Sequence, residues 1–136
     1  MVRGILADHN VRGQVNYLLV IMRTPAWYEI WEDLGLVQLH FEDVGLAPES
    51  SDLDVWLRCQ AEGLVLITAN RNYTGSDSLE ATLRAYNSPT SLPVFTIADI
   101  DKLNNSRSYA DLVAETMLDY LQRIEELRGT GRLFLP

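Results

Sequence analysis

The chain alternates between short apolar runs and longer stretches in which apolar residues recur at every third or fourth position. The apolar runs predict β-strands, which are bounded here by polar or turn-forming residues. Of these, "LVLIT" is the most continuous, so we place it near the centre of a sheet. Pro136 cannot donate to a strand ladder, which predicts that the last strand lies at an edge. The five predicted strands cover residues 3–8, 36–41, 64–68, 94–99 and 132–136.

The stretches with three- and four-residue spacing predict amphipathic helices between these strands. Ser51 or Asp52 is expected to cap the third helix, and Gly63 is expected to close it. Ser76 is the expected cap of the fourth helix, and Gly35 is the expected end of the second. The predicted helices cover residues 11–24, 25–35, 52–63, 76–87 and 108–129.

Strands that alternate with helices predict an α/β fold of three layers, with a mostly parallel sheet of about five strands and helices on both faces. With 136 residues, the chain is long enough for one domain with a real core and too short for two, so we predict a single domain over residues 1–136. Because crossovers are right-handed, the carboxyl ends of the strands gather at one edge, where open α/β sheets bind their ligands.

Polar residues follow three of the predicted strands at that edge. A further acidic pair, Asp52 and Asp54, begins the helix expected to start nearby. Carboxylate and amide oxygens are the ligands that hard divalent cations prefer, so this edge is the predicted site. The three polar groups are Asp8-His9-Asn10, Asn70-Arg71-Asn72 and Asp99-Ile100-Asp101.

Three segments carry a resemblance to a known family. They are "LADHN" at 6–10, "EDVGLAPESSDLDVWLRCQAEGLVLIT" at 42–68, and "TANRNY" at 68–73. Together they resemble the PIN-like domains of a short bacterial subgroup related to VapC-type toxins, and the resemblance covers roughly residues 4 to 100. The central block is fairly specific as a whole, whereas each piece alone is weak.

The resemblance implies a ribonuclease that depends on Mg²⁺ or Mn²⁺ held by several carboxylates. The cation would activate water and stabilise charge on a phosphodiester. The acidic positions that match are Asp8 and Asp52, which become the candidate catalytic and metal-binding residues. The sequence departs from the family at Asn70 and Asn72, where the family has aspartates, so two charges of the usual site are missing.

Other residues near the same edge are candidates to complete the site. Asp77 and Asp99 are the additional candidate metal ligands, although each also suits a helix cap or a solvated loop. The arginines Arg12 and Arg71 are candidates for binding phosphate, since a guanidinium forks onto it well, or they are paired surface residues. The remaining candidate binding residues are His9, Asn10, Asn70 and Asn72.

Composition limits these functions. A formal net charge of −8 disfavours non-specific binding to a phosphate backbone. The single cysteine, Cys59, excludes an intrachain disulfide and a cysteine-rich zinc site, and its apolar neighbours predict a core thiol. No signal peptide or membrane span is recognisable, so a cytoplasmic protein without membrane contact is expected.

Three hypotheses on function follow from the sequence. The first is a metal-dependent ribonuclease, as in the toxin half of a toxin-antitoxin pair. The second is a catalytically inactive PIN-like domain that binds a protein partner, such as an antitoxin-like protein or a second copy, or an anion. The segment around Trp27, Tyr28 and Trp31 favours such an interface, although tryptophans at helical spacing also suit a core. The third is an unrelated doubly wound module of the receiver type.

Overall fold

The computed structural model describes residues 1–70 and 78–136. Over these residues the chain forms an α/β fold built on five strands. The strands are β1 (Gly4–Ala7), β2 (Val37–Leu39), β3 (Leu64–Thr68), β4 (Val94–Ile97) and β5 (Arg132–Leu135). The helices are α1 (Arg12–Met22), α2 (Tyr28–Leu34), α3 (Asp52–Glu62), α4 (Leu79–Tyr86), α5 (Ile100–Asn105) and α6 (Arg107–Gln122). Short 3-10 turns cover His9–Val11, Phe41–Val44 and Ile124–Leu127.

The five strands form one fully parallel sheet in the order β2-β1-β3-β4-β5. This confirms the predicted fold class, the central place of β3 and the edge position of β5, and it places β2 at the other edge. The order is one of the two common doubly wound arrangements. It places a topological switch point between β1 and β3, because the chain leaves β1 in one direction along the sheet and continues from β3 in the other.

Alternate side chains of each strand feed two separate cores, one on each face of the sheet. On β3, Val65 and Ile67 enter the larger core, while Leu64 and Leu66 enter the smaller one. The larger core is completed mainly by α1 and α6, and the smaller core mainly by α3 and α4. Because both faces are covered, the inner strands are almost entirely apolar, as is usual for parallel sheets.

The tryptophans and the cysteine are mainly core residues. Trp31 and Trp56 are buried, and Trp27 packs partly against the larger core. Cys59 is buried in the smaller core, as predicted, and burial raises the pKa of its thiol above the ordinary value. A neutral buried thiol acts as a small apolar side chain rather than as a nucleophile.

The helix ends agree in part with the sequence predictions. Ser51 caps α3 by accepting a hydrogen bond from the Asp54 backbone, and Gly63 closes the helix with φ of 69°. Gly35 closes α2 in the same way, with φ of 64°. These positive values of φ suit glycine because it has no Cβ to collide with the backbone.

Two predicted boundaries were wrong. The cap of α4 is Ser78 rather than Ser76, because the Ser78 side chain accepts the free amide N–H of Ala81. The last long helix ends at Gln122 rather than near Gly129, because Arg123 leaves the helical backbone region and a 3-10 turn follows. The structure also adds α5, which Asp99 caps and which the sequence pattern did not predict.

Candidate functional site

A cavity of about 430 Å³ opens at the carboxyl edge of the sheet, beside the switch point between β1 and β3. Open α/β sheets bind ligands at this place because two crossovers diverge there and leave a crevice. The cavity has an apolar floor and walls to which Phe41, Leu66 and Leu79 contribute. Its polar lining residues are Asp8, Asn10, Ser50, Asp52 and Asn70.

Asp8 reaches the cavity because it directly follows β1. Its backbone N–H donates to the Ile67 carbonyl at 2.9 Å, which extends the ladder between β1 and β3 by one bond. Its carboxylate oxygen Oδ2 accepts a hydrogen bond from the Thr68 hydroxyl at 2.6 Å. Thr68 is fully buried, so the hydroxyl holds one edge of this carboxylate in a fixed direction.

Asp52 enters the cavity from the layer of helices on one face, as the first residue of α3. Its Oδ2 accepts a hydrogen bond from the side-chain amide of Asn70 at 3.0 Å. Partial burial raises the pKa of the Asp52 carboxyl and the charge of Asp8 raises it further, while Asn70, the Leu79 backbone N–H and Arg132 oppose the rise. Asp8 and Asp52, the two candidate catalytic residues, thus both line this one cavity.

Asn70 connects the two carboxylates. Besides its amide contact with Asp52, its backbone N–H donates to the Thr68 hydroxyl at 2.9 Å, and that hydroxyl donates to Asp8. The family that the sequence resembles has an aspartate at this position, and here the Asn70 amide takes its place. A neutral donor here relieves repulsion between the two acids instead of adding to it.

Arg132 lies on β5, the outermost strand beside β4, and supports the site from there. Sequence reasoning missed this residue. Its Nη1 donates to the Asn70 carbonyl and to the Thr96 hydroxyl, each at 2.7 Å, and its Nε pairs with Glu80 at 3.1 Å. Its side chain is only 6% exposed. The sequence did contain one signal for this role: a charged residue begins an otherwise apolar strand, and an arginine buried there needs a partner.

Of the other predicted residues within the described ranges, one lines the cavity and three do not. Asn10 lines the cavity. His9 packs against Phe41 with ring centroids 5.9 Å apart, and Arg12 forms an exposed ion pair with Glu42 at 2.8 Å. Asp99 points its carboxylate at the start of α5, where it accepts from the Lys102 N–H.

Three predicted site residues, Arg71, Asn72 and Asp77, lie outside the described residues. Within residues 1–70 and 78–136, no three acidic, histidine or cysteine side chains are arranged to hold a metal ion together. The acids that the described structure brings into the cavity are Asp8 and Asp52.

The fold and the position of the cavity define a doubly wound α/β protein with a polar site at its switch point. No family model, curated protein or solved structure matches the chain. In the part of the chain that the structure describes, no helix is both long and apolar enough to span a bilayer.

The raised pKa of Asp52 predicts a specific dependence of stability on pH. The folded chain holds a proton on Asp52 more tightly than the unfolded chain does, because burial and Asp8 disfavour the charged carboxylate. The contribution of Asp52 to stability should therefore be present below its unfolded pKa of 3.8 and fall as pH rises through its higher folded pKa. Asp52→Asn removes this titration.

We expect the free energy of unfolding of Asp52→Asn, relative to the native chain, to rise with pH over this window and then to level off. Urea unfolding between about pH 3.5 and pH 7 measures it. Asp54→Asn is the matched control, because Asp54 is exposed on the same helix. A difference between Asp52→Asn and the native chain that stays constant with pH would contradict the raised pKa.

Proposed function

We propose that the chain is a PIN-like nuclease that cleaves RNA with a Mg²⁺ or Mn²⁺ ion bound between Asp8 and Asp52. The observation that carries this proposal is the meeting of these two carboxylates, from different layers of the fold, in one cavity at the switch point. Two like charges in a partly buried cleft destabilise each other unless a cation lies between them. With RNA as its substrate, the proposed nuclease would act in the cytoplasm.

The donor set fits such an ion. Mg²⁺ is commonly held by one or two carboxylates, with water and substrate phosphate completing its shell. Asp8 and Asp52 would hold the ion, and the amide oxygen of Asn70 offers a neutral hard ligand beside them. With two negative charges instead of three or four, we expect weaker binding than in a site built from aspartates alone.

The bound ion would supply an activated water and would neutralise charge that develops on the phosphodiester. The chain's own residues supply the positioning. Thr68 directs the Asp8 carboxylate through its hydroxyl, and Asn70 holds the Asp52 carboxylate through its amide. The apolar walls formed by Phe41 and Leu79 limit the access of bulk water, which strengthens electrostatic interactions inside the cleft.

A second candidate function is an inactive PIN-like domain that acts through a protein partner. The Asn70 amide favours it, because a neutral donor to Asp52 stands where a further carboxylate would help to hold a cation. The α2 segment also favours it, since Tyr28 is 48% exposed beside the partly buried Trp27. Such a surface would suit an antitoxin-like protein or a second copy of this chain.

Calorimetric titration with Mn²⁺ tests the first function. We expect the native chain to bind Mn²⁺ with a Kd below about 100 µM and Asp8→Ala to abolish this binding. Asp54→Ala is the control, since it removes the same charge from an exposed position outside the cavity, and its affinity should stay near that of the native chain.

Cleavage of RNA in the presence of Mn²⁺ should then depend on Asp8 and survive Asp54→Ala. Absence of binding at millimolar Mn²⁺ would overturn the proposed nuclease and leave the partner-binding function as the better account. Binding that Asp8→Ala leaves intact would place the cation elsewhere.

A further inference from the structure

Arg132 is the one cation in the described structure whose guanidinium lies buried directly beneath the candidate site. It stands on β5, the far edge strand, and reaches past Thr96 of β4 to the Asn70 carbonyl at the end of β3. We propose that Arg132 is a positioning residue for the cation site, fixing the groups that orient the Asp52 carboxylate. This inference rests on the proposed function and identifies what holds its site in shape.

The first link runs through Asn70. The Asn70 carbonyl accepts from Arg132 at 2.7 Å, and its backbone N–H donates to Thr68 at 2.9 Å. The backbone of Asn70 is thus held on both sides of its Cα atom. This fixes the point from which its side chain reaches Asp52. Through Thr68, the same anchored residue is also connected to Asp8.

The second link runs through Glu80. The Glu80 carboxylate pairs with Nε of Arg132 at 3.1 Å and lies in the first turn of α4. The residue before it, Leu79, lines the same cavity as Asp52. The same guanidinium therefore anchors two segments beside Asp52: Asn70, whose amide donates to that carboxylate, and the first turn of α4, from which Leu79 lines the cavity.

This position requires arginine rather than lysine. A planar guanidinium donates in several fixed directions at once, here toward Asn70, Thr96 and Glu80, whereas an ammonium is a compact point charge. A buried ion pair seldom stabilises a fold more than apolar residues of the same volume would. A geometric role in the site explains why the charge stands at this place.

The decisive variant removes both charges together. Arg132→Met combined with Glu80→Met removes both charges of the ion pair seen in the described residues, so this double variant should fold. We expect its Mn²⁺ affinity to fall by about 10- to 100-fold, the usual effect of losing groups that orient a metal ligand. We also expect the side-chain amide signal of Asn70 to shift in the ¹⁵N NMR spectrum of the metal-free protein.

Two further variants separate positioning from a general effect on the fold. Arg132→Lys keeps the charge on a single donor nitrogen, so its Mn²⁺ affinity should lie between that of the double variant and that of the native chain. The matched control is Arg3→Met with Glu62→Met, which removes an exposed ion pair of 2.8 Å at the other end of the sheet. This control should leave both the Mn²⁺ affinity and the Asn70 signal unchanged.

The inference is overturned if the folded double variant keeps the native Mn²⁺ affinity and an unshifted Asn70 signal. Failure of the proposed function is a distinct result, in which the native chain binds no Mn²⁺. In that case the side-chain amide signal of Asn70 still tests whether Arg132 positions Asn70. A shift in the double variant supports this role of Arg132, and an unchanged signal overturns it.

Discussion

Arg132→Met alone should lower the free energy of unfolding by about 3 kcal/mol, at the low end of the cost of breaking a buried ion pair. The change leaves Glu80, whose side chain is 24% exposed, facing the apolar chain of methionine. It also removes the donor on which the Asn70 carbonyl and the Thr96 hydroxyl depend. Urea unfolding with an unchanged m-value would measure the loss.

The exposed pair of Arg3 and Glu62 provides the comparison. Both side chains are more than 40% exposed, so Arg3→Met should cost no more than about 1 kcal/mol. Adding Glu80→Met to Arg132→Met should restore most of the lost stability, because it removes the charge of Glu80 that Arg132→Met leaves without this partner. A loss for Arg132→Met as small as the loss for Arg3→Met would show that the buried pair carries little weight in this fold.

Asn70→Asp should raise the affinity for Mn²⁺ at least about tenfold, or ~1.4 kcal/mol. An added carboxylate about 4 Å from a divalent ion contributes roughly 8 kcal/mol of gross attraction at an effective dielectric near 20. Most of this is offset by desolvation of the new charge. Without the ion, three carboxylates would repel one another, so the same variant should unfold more easily in a chelator.

Asn10→Asp is the control for this gain, because Asn10 also lines the cavity but is exposed to solvent. The same charge at that position is screened by water, so we expect a smaller increase in Mn²⁺ affinity. Calorimetry on both variants, with RNA cleavage measured in parallel, provides the comparison. Equal affinities for Asn70→Asp and the native chain would mean that the ion does not lie beside Asn70.

Local patterns in the sequence were sufficient for most of the fold. The uninterrupted run of β3 indicated a strand buried on both faces, and the sheet confirms this. Candidate helix caps that lie close together in the sequence were harder to tell apart. Ser76 and Ser78 both suit a helix cap, and the pattern cannot say which hydroxyl meets a free N–H.

The site depended on information that spacing does not contain. Asp8 and Asp52 could be proposed together because both were expected at one edge of a parallel sheet. Arg132 could not, because it lies 62 residues from Asn70 and meets it only through the spatial order of β3, β4 and β5. Likewise, the contact between the Asn70 amide and Asp52 depends on how α3 packs against β3.

The edge position of β5 has a consequence for the dynamics of the site. An edge strand of four residues is bonded to the sheet along one side only, so its opening breaks one backbone ladder, whereas the opening of an inner strand breaks two. Each opening of β5 withdraws the guanidinium from Asn70 and frees the groups around Asp52. The site would therefore be intact only while a strand whose backbone lies outside the cavity stays paired with the sheet.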